Sequence, residues 1–494
     1  MTPGGYAAGA RVLAVLALGA GIVAVSDGLS ARELRGPDVA VEATSQGITA
    51  EEILCPGAEF AGIAGVPDLS VTPRVVAAAA PAEALGADVR TAGGTLRLDA
   101  EPIAPATTPQ RSATTATRAE LLRQTASDPT PVRVSATGGL APGVLAAQES
   151  DEASAEVTGL AEASCGRAGA DAWLIGGGGA PGRQERLVLL NPGANPVTVD
   201  VEVFGHNGRV ESSAAQGIVV QGRSRASVLL DAVAPEEDSP AYHVTTRGGF
   251  VASGLADYWI DGITPRGIES VAPLAAPATE QLIAGVPGKL PTTVRLLAPG
   301  EREAVVEIRL LTPDGPAALT GSRAVVRVPA GSTRDVEVTD VPAGIVAVQI
   351  RSDEPVAAAA LTAPQKARDF GWSVAAAPLA GLSGAVYPAV ADPRDRTRTL
   401  ALVATGGAAR VTVTSVRRGG AQVRSLSLES ETTATVDLST SDAVWVRTAG
   451  PGVVRAAVTV TGSTGRRFVL AVRPLTQARV SATSVGVAPL SPLD

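Results

Sequence analysis

Side-chain chemistry needs a base, a nucleophile or a set of metal ligands at workable spacing, and this chain offers few. It holds two histidines, His206 and His243, and two cysteines, Cys55 and Cys165, in 494 residues. The zinc-hydrolase pattern His-Glu-x-x-His is absent, and two histidines leave little general-base capacity. "GLSGA" at Gly381 sets its second glycine directly after Ser383, so it lacks the spacing of a serine nucleophile elbow. "WLIGGGGAPGRQ" from Trp173 has Arg183 and Gln184 where a phosphate loop needs Lys and then Ser or Thr. It reads instead as a flexible connector between a first and a second unit. Paired carboxylates remain. Asp257 and Asp261 flank "YWI", where Tyr258 and Trp259 would give stacking faces for a sugar, so these four residues are the candidate ligand surface. The competing reading makes "DYWIDGITPRG" a loop between strands, with its rings covering the end of a sandwich. His243 reads as a solvated strand position, and Trp372 and Trp445 as core. No catalytic residue, metal ligand or cofactor is assigned.

The two cysteines have a different use. An even pair in an oxidising compartment reads as one disulfide, Cys55–Cys165, closing a loop of about 110 residues. The chain-entropy model assigns such a loop roughly 4–5 kcal/mol. Export is the matching expectation. Arg11 precedes a 14-residue apolar run, Val12 to Val25, short for a bilayer span but suited to a signal peptide. Ala24 and Ser26 would allow cleavage before Asp27; whether the segment is removed or stays as a single-pass anchor is open. A net charge of −8 without a basic run argues against nucleic acid.

The elements that must position any site are written in repeats. "LNPGANPVTVDVEVFGHNG" from Leu190 and "LAPGEREAVVEIRLLTPDG" from Leu297 align without a gap, 107 positions apart. Val199, Val201 and Val203 fall on Val306, Ile308 and Leu310, with charges between them. Period two with one charged face is the mark of a half-buried strand, and "HNG" and "PDG" are turns. "AYHVTTRGGFVASGLADY" from Ala241 and "VAVQIRSDEPVAAAALTA" from Val346 read as later hairpins. Closing segments "VAPLAAP" and "AAAPLAG" follow. A third copy runs from Thr399, with Val411 and Val413 alternating, to "AVRPL". A degenerate front copy is anchored by "PVRVSATGGLAPGVLAAQES" from Pro131, and its Ala/Thr/Pro-rich insert reads as loop or disorder, with two helical turns at "TRAELLRQ". The fold expected is all-β: tandem Ig-like antiparallel β-sandwich domains after one N-terminal apolar helix. The expected boundaries are 1–31 for the export segment, 32–172 for the front unit, then 173–281, 282–385 and 386–494.

"CPG" at Cys55, "SC" at Cys165 followed by Trp173 and a glycine run, "RLVLLNPG" at Arg186 and "DGITPRG" at Asp261 carry a resemblance. The chain resembles an actinobacterial family of exported proteins, domain of unknown function 5719. The resemblance implies an envelope-associated, extracytoplasmic protein with paired cysteines in its first unit, serving surface-glycan assembly, and it transfers no catalytic residue. Together these features favour a non-enzymatic envelope scaffold whose partner is an envelope protein. A surface-glycan-binding module is the alternative, and a carboxylate-dependent hydrolase the third reading. Contact with the membrane would run through the N-terminal segment if it is uncleaved.

Overall fold

The computed structural model describes residues 43–485 apart from gaps, the longest at 61–70, 101–111 and 389–395. The apolar run and the helix expected over 1–31 lie outside the described residues. Two compact units result. The first is Met1–Gln46 with Ala482–Asp494, whose described part belongs to the paired strands Ala43–Gly47 and Ser481–Val485; the second is Gly47–Ser481. All features below belong to the second.

The chain is all-β. Among the described residues the helices are single 3-10 turns, and none is long and apolar enough to cross a membrane. Alternation supplies half of the strands. Val199, Val201 and Val203 are buried, as are Val306, Ile308 and Leu310, so each row faces a core while Glu202 and Glu307 do not. The expected turns follow: Gly205 pairs with Gly208 across "HNG", and Thr312 with Gly315 across "PDG".

One strand order recurs four times. In the second repeat, one sheet runs Asp171–Ile175, Ala241–Arg247, Val197–Gly205, Gly208–Val210. The other runs Ser224–Leu229, Arg183–Asn191, Ala252–Asp261, Thr264–Val271. The front repeat sets Ala50–Cys55, Val132–Gly138, Gly94–Ala100 and Ser112–Thr115 against Leu122–Thr125, Arg74–Ala78, Leu145–Ala153 and Thr158–Ser164. The last repeat closes with Arg396–Thr405, Val453–Thr464 and Arg467–Pro474 in the same places.

Three expectations are corrected here. Ala241–Arg247 and Ala252–Asp261 are not a hairpin: the first pairs with Val197–Gly205 and the second with Arg183–Asn191, in different sheets. In the third repeat a single strand, Ile345–Thr362, makes the same crossing. Its first half pairs with Ala304–Thr312 and its second with Thr292–Ala298. A strand–turn–strand sequence reads alike whether the chain folds back or steps across the core. Second, part of the Ala/Thr/Pro-rich insert forms strands, Ser112–Thr115 and Leu122–Thr125, so "TRAELLRQ" makes no helix; the sheet edges beside it offer hydrogen bonds that a two-turn helix, marginal in water, could not match. Third, the glycine run is no connector between units: Gly176, Gly177 and Gly178 are buried inside the second repeat.

The cores are chained in a cycle. Phe370, Trp372 and Val374 of the third repeat share a cluster with Leu174, Val199 and Leu255 of the second. Leu282 and Leu311 of the third meet Val403 and Leu470 of the fourth. Trp445 and Leu382 of the fourth meet Val76 and Leu145 of the front repeat. Val157 and Ala161 of the front repeat meet Tyr258 and Ile268 of the second. Each repeat therefore buries the outer face of its closing sheet on a neighbour.

Candidate functional site

The four closing strands, Thr158–Ser164, Thr264–Val271, Gly371–Val374 and Arg467–Pro474, are sheet edges that meet at the centre of this cycle. An edge strand presents unpaired backbone N–H groups, which are costly to bury. Here carboxylates from other repeats accept them. Asp369 accepts from Leu160 N–H of the front repeat at 3.1 Å, from Leu470 N–H of the fourth at 3.0 Å and from its neighbour Phe370 at 3.1 Å. Close approach depends on glycine: a Cβ on Gly159 would lie 2.6 Å from Asp369 Oδ1, and one on Gly267 2.8 Å. Glu269 of the second repeat likewise accepts from Trp372 N–H at 3.2 Å and Ser270 N–H at 2.8 Å. Burial pushes the pKa of both carboxyls well up, against these hydrogen bonds.

Two buried charged clusters flank that junction. In the first, Arg183 forks onto Asp257, with Nε at 3.0 Å and Nη2 at 2.6 Å, and Trp372 Nε1–H donates to the same carboxylate at 3.1 Å. The guanidinium lies 5.2 Å from the ring centroids of both Trp259 and Phe370. Glu185 sits alongside, accepting from Gly178 N–H at 2.5 Å and from Tyr242 Oη at 3.3 Å. Gly177 has φ +75°, and a Cβ there would collide with the Glu185 carboxyl at 1.8 Å, which is why this segment is glycine. Arg295 of the third repeat clamps the same segment, donating to Gly177 O at 3.0 Å and Pro240 O at 3.2 Å while pairing with Asp335. Burial, then the Asp257 charge, pushes Glu185 up to about 8.

The second cluster joins the front repeat to the last. Glu149 and Glu162 are cross-strand partners, both buried. Glu149 meets Arg396 at 3.2 Å and Glu162 meets Arg473 at 2.9 Å. Arg398 and Arg473 lie 5.0 and 5.1 Å from the Tyr387 ring centroid. Asp151 pairs with Arg396 and Arg467. Burial and the neighbouring Glu162 charge push Glu149 up to about 8, while the arginines, outweighing burial, hold Glu162 below its ordinary value.

Pro273 and Pro378 follow two of the closing strands and Pro474 ends a third, each without a backbone N–H. The chains diverge there around a cavity of about 290 Å³. All four repeats line it, through Ser164 and Arg167, Val271 and Leu274, Trp372 and Val374, and Arg473 and Leu475, with Glu162 and Cys165 alongside. Cys55 and Cys165 form the expected disulfide, with Cα atoms 4.6 Å apart.

The residues singled out in the sequence are dispersed. "DYWIDGITPRG" is a strand hairpin turning at Gly262-Ile263. Asp257 and Tyr258 are 0% and 2% exposed, Tyr258 between the front and second repeats. Trp259 is half-buried and Asp261 exposed at the tip beside Ile263. His243 is half-buried, stacked 3.9 Å from Trp173, with Asp171 at 2.6 Å and Glu202 at 2.8 Å from its ring nitrogens. Trp372 and Trp445 are core residues. Glu162, Glu269 and Asp369 were missed. The trace of the two glutamates is a single carboxylate inside an apolar stretch, "TGLAEASC" and "RGIESVAP", whereas Asp369 in "KARDFGW" follows other charges and leaves none.

A model described as a family of unknown function (DUF5719) matches residues 121–439, and the chain belongs to that family. No curated protein matches it.

Proposed function

We propose that this member of the family acts outside the cytoplasm as a non-enzymatic scaffold of the cell envelope, built of tandem Ig-like sandwiches behind an exported N-terminus. The observation that carries the reading is the Asp369 clasp, one carboxylate binding the backbones of three repeats. Domains tied this way hold fixed relative positions, as a platform for another envelope protein must. The Cys55–Cys165 bridge suits an oxidising compartment. Crosslinking in intact cells followed by purification should recover the same envelope protein repeatedly, and should lose it when Asp369→Ala loosens the junction. Recovery of no recurrent envelope protein would sink the reading.

A surface-glycan module is the second reading. It rests on Trp259, a half-buried ring within the hairpin strand Ala252–Asp261, with the Arg266 guanidinium 5.1 Å from its centroid. Binding to purified wall polysaccharide that vanishes in Trp259→Ala, at unchanged melting temperature, would support it. The hydrolase reading draws no support from Asp257, whose two oxygens are engaged by Arg183 and Trp372.

A further inference from the structure

We propose that the open edge of Gly420–Leu428, in the fourth repeat, docks an extended acidic peptide segment of a partner protein, which joins the sheet as a further strand. This deepens the scaffold reading and rests on it only for the partner's being a protein.

The edge differs from its counterparts. In the second repeat the strands at this place are Gly208–Val210 and Ile218–Val220, in the third Gly315–Ala318 and Val325–Val328, and in the front repeat Ser112–Thr115. Each has three or four residues, and short edge strands guard against unwanted pairing. Gly420–Leu428 runs for nine residues without proline, in unbroken register with Ala409–Arg417. The hairpin fixes which of its backbone groups are free. Arg417 pairs with Gly420 at the turn, and the Val416 carbonyl, facing the other way, accepts from Asp442 N–H at 2.8 Å. Ladder alternation then turns the N–H and C=O groups of Ala421, Val423, Ser425 and Ser427 outward, where no strand follows among the described residues. Val423, 53% exposed, gives an added strand an apolar contact.

Charge selects the occupant. Ala409–Leu428 holds Arg410, Arg417, Arg418 and Arg424 and no carboxylate, in a chain of net charge −8. All four are exposed, and none forms an ion pair among the described residues. Asp442 pairs with Arg123, and Glu431 with Arg309 and Arg351. That leaves Glu429, just past the strand, as one negative charge against four positive. A strand bearing carboxylates supplies both the missing backbone partners and the counter-charge. A second copy of this edge would bring four more arginines.

The probe is a fluorescein-labelled, nine-residue peptide of alternating Glu and Val, added to the intact protein. It should bind saturably at one per chain by anisotropy. Hydrogen exchange at the Val423 and Ser425 amides should slow, while that at Arg424, already paired with Val413, stays as it was. With Lys in place of Glu, binding should fall at least tenfold. N-methylation of one alternate set of peptide amides should abolish binding and of the other leave it unchanged, because one edge of the added strand meets the protein. Ser425→Pro removes an outward N–H, which an edge strand tolerates, and should weaken binding at least tenfold while melting cooperatively. No saturable binding, full binding of both methylated peptides, or equal binding of the Lys peptide would each overturn the proposal. So would polygalacturonate binding as tightly as the peptide, which would assign the arginines to a polyanionic glycan. A peptide-free dimer that Ser425→Pro dissociates would instead give the edge to a second copy and overturn it too. None of these results alters which envelope protein crosslinking recovers, so the two readings fail separately.

Discussion

The second repeat holds two sheets of about equal size that live in different surroundings. The sheet containing Val197–Gly205 leaves Thr198 and Glu202 partly exposed between buried valines. The sheet containing Thr264–Val271 buries both faces: five successive residues at its end are buried, as are six in the equivalent Thr158–Ser164 of the front repeat. The first is an ordinary half-solvated antiparallel sheet, whereas the second behaves like the two-sided sheets of layered folds. Most buried carboxylates follow that division, Glu51 and Asp200 being the exceptions. Glu149, Glu162, Asp257 and Glu269 stand on doubly buried sheets, where a neighbouring repeat supplies arginines, an indole or a backbone N–H; Glu185 stands there too, with donors from its own repeat. In the second repeat, what differs between the sheets is thus the surroundings of the outer face: mainly water on one, another repeat on the other.

The contrast can be broken by substitution. Asp257→Ala leaves Arg183 buried without its counter-charge, and should cost about 3–5 kcal/mol in denaturant unfolding. A loss within experimental error would mean that the doubly buried sheet tolerates unpaired charge. Asp369→Ala removes the acceptor of three backbone donors, and roughly 3 kcal/mol is expected. Its signature should be faster hydrogen exchange at the Leu160 and Leu470 amides; unchanged protection there would refute the clasp.

Acidity sharpens the comparison further. The Glu149 carboxyl rises to about 8 from an ordinary 4.5, so the folded chain retains a proton that the unfolded chain has released. Stability contributed by this group is therefore present at low pH and declines as pH rises from about 4.5 to 8. Glu149→Gln, which cannot titrate, should flatten the urea midpoint across that window, and parallel curves for the two proteins would contradict the assignment. The smallest effect belongs to the solvated sheet. Glu202 pairs with His243 and Arg209 at the surface, and Glu202→Ala should change stability by no more than about 0.5 kcal/mol. A cost near that of Asp257→Ala would erase the distinction between the sheets.

The same division explains which parts were legible from residues alone. Val199, Val201 and Val203 announce their strand because water selects for charge at the intervening positions. "VAAAALT" in Ile345–Thr362 carries no such rhythm, since both of its faces are buried. Tyr258, Trp259, Asp257 and Asp261 looked like one surface because they are close in sequence. Strand pleating turns neighbours to opposite sides, and two of the four are buried. The glycine run resembled a connector because glycine permits flexibility; here it permits the close approach of the Glu185 carboxyl.

By itself, the sequence settled the β character of the chain, the recurrence of its strands near 107 residues and the pairing of its two cysteines. These follow from local periodicity and from the small number of ways two thiols can combine. Tertiary structure alone decided that paired strands cross between sheets, that four edges meet, and that Asp369, Glu162 and Arg473 stand at their junction. Those outcomes depend on contacts between residues hundreds of positions apart, which leave in each strand no more than a lone charge among apolar neighbours.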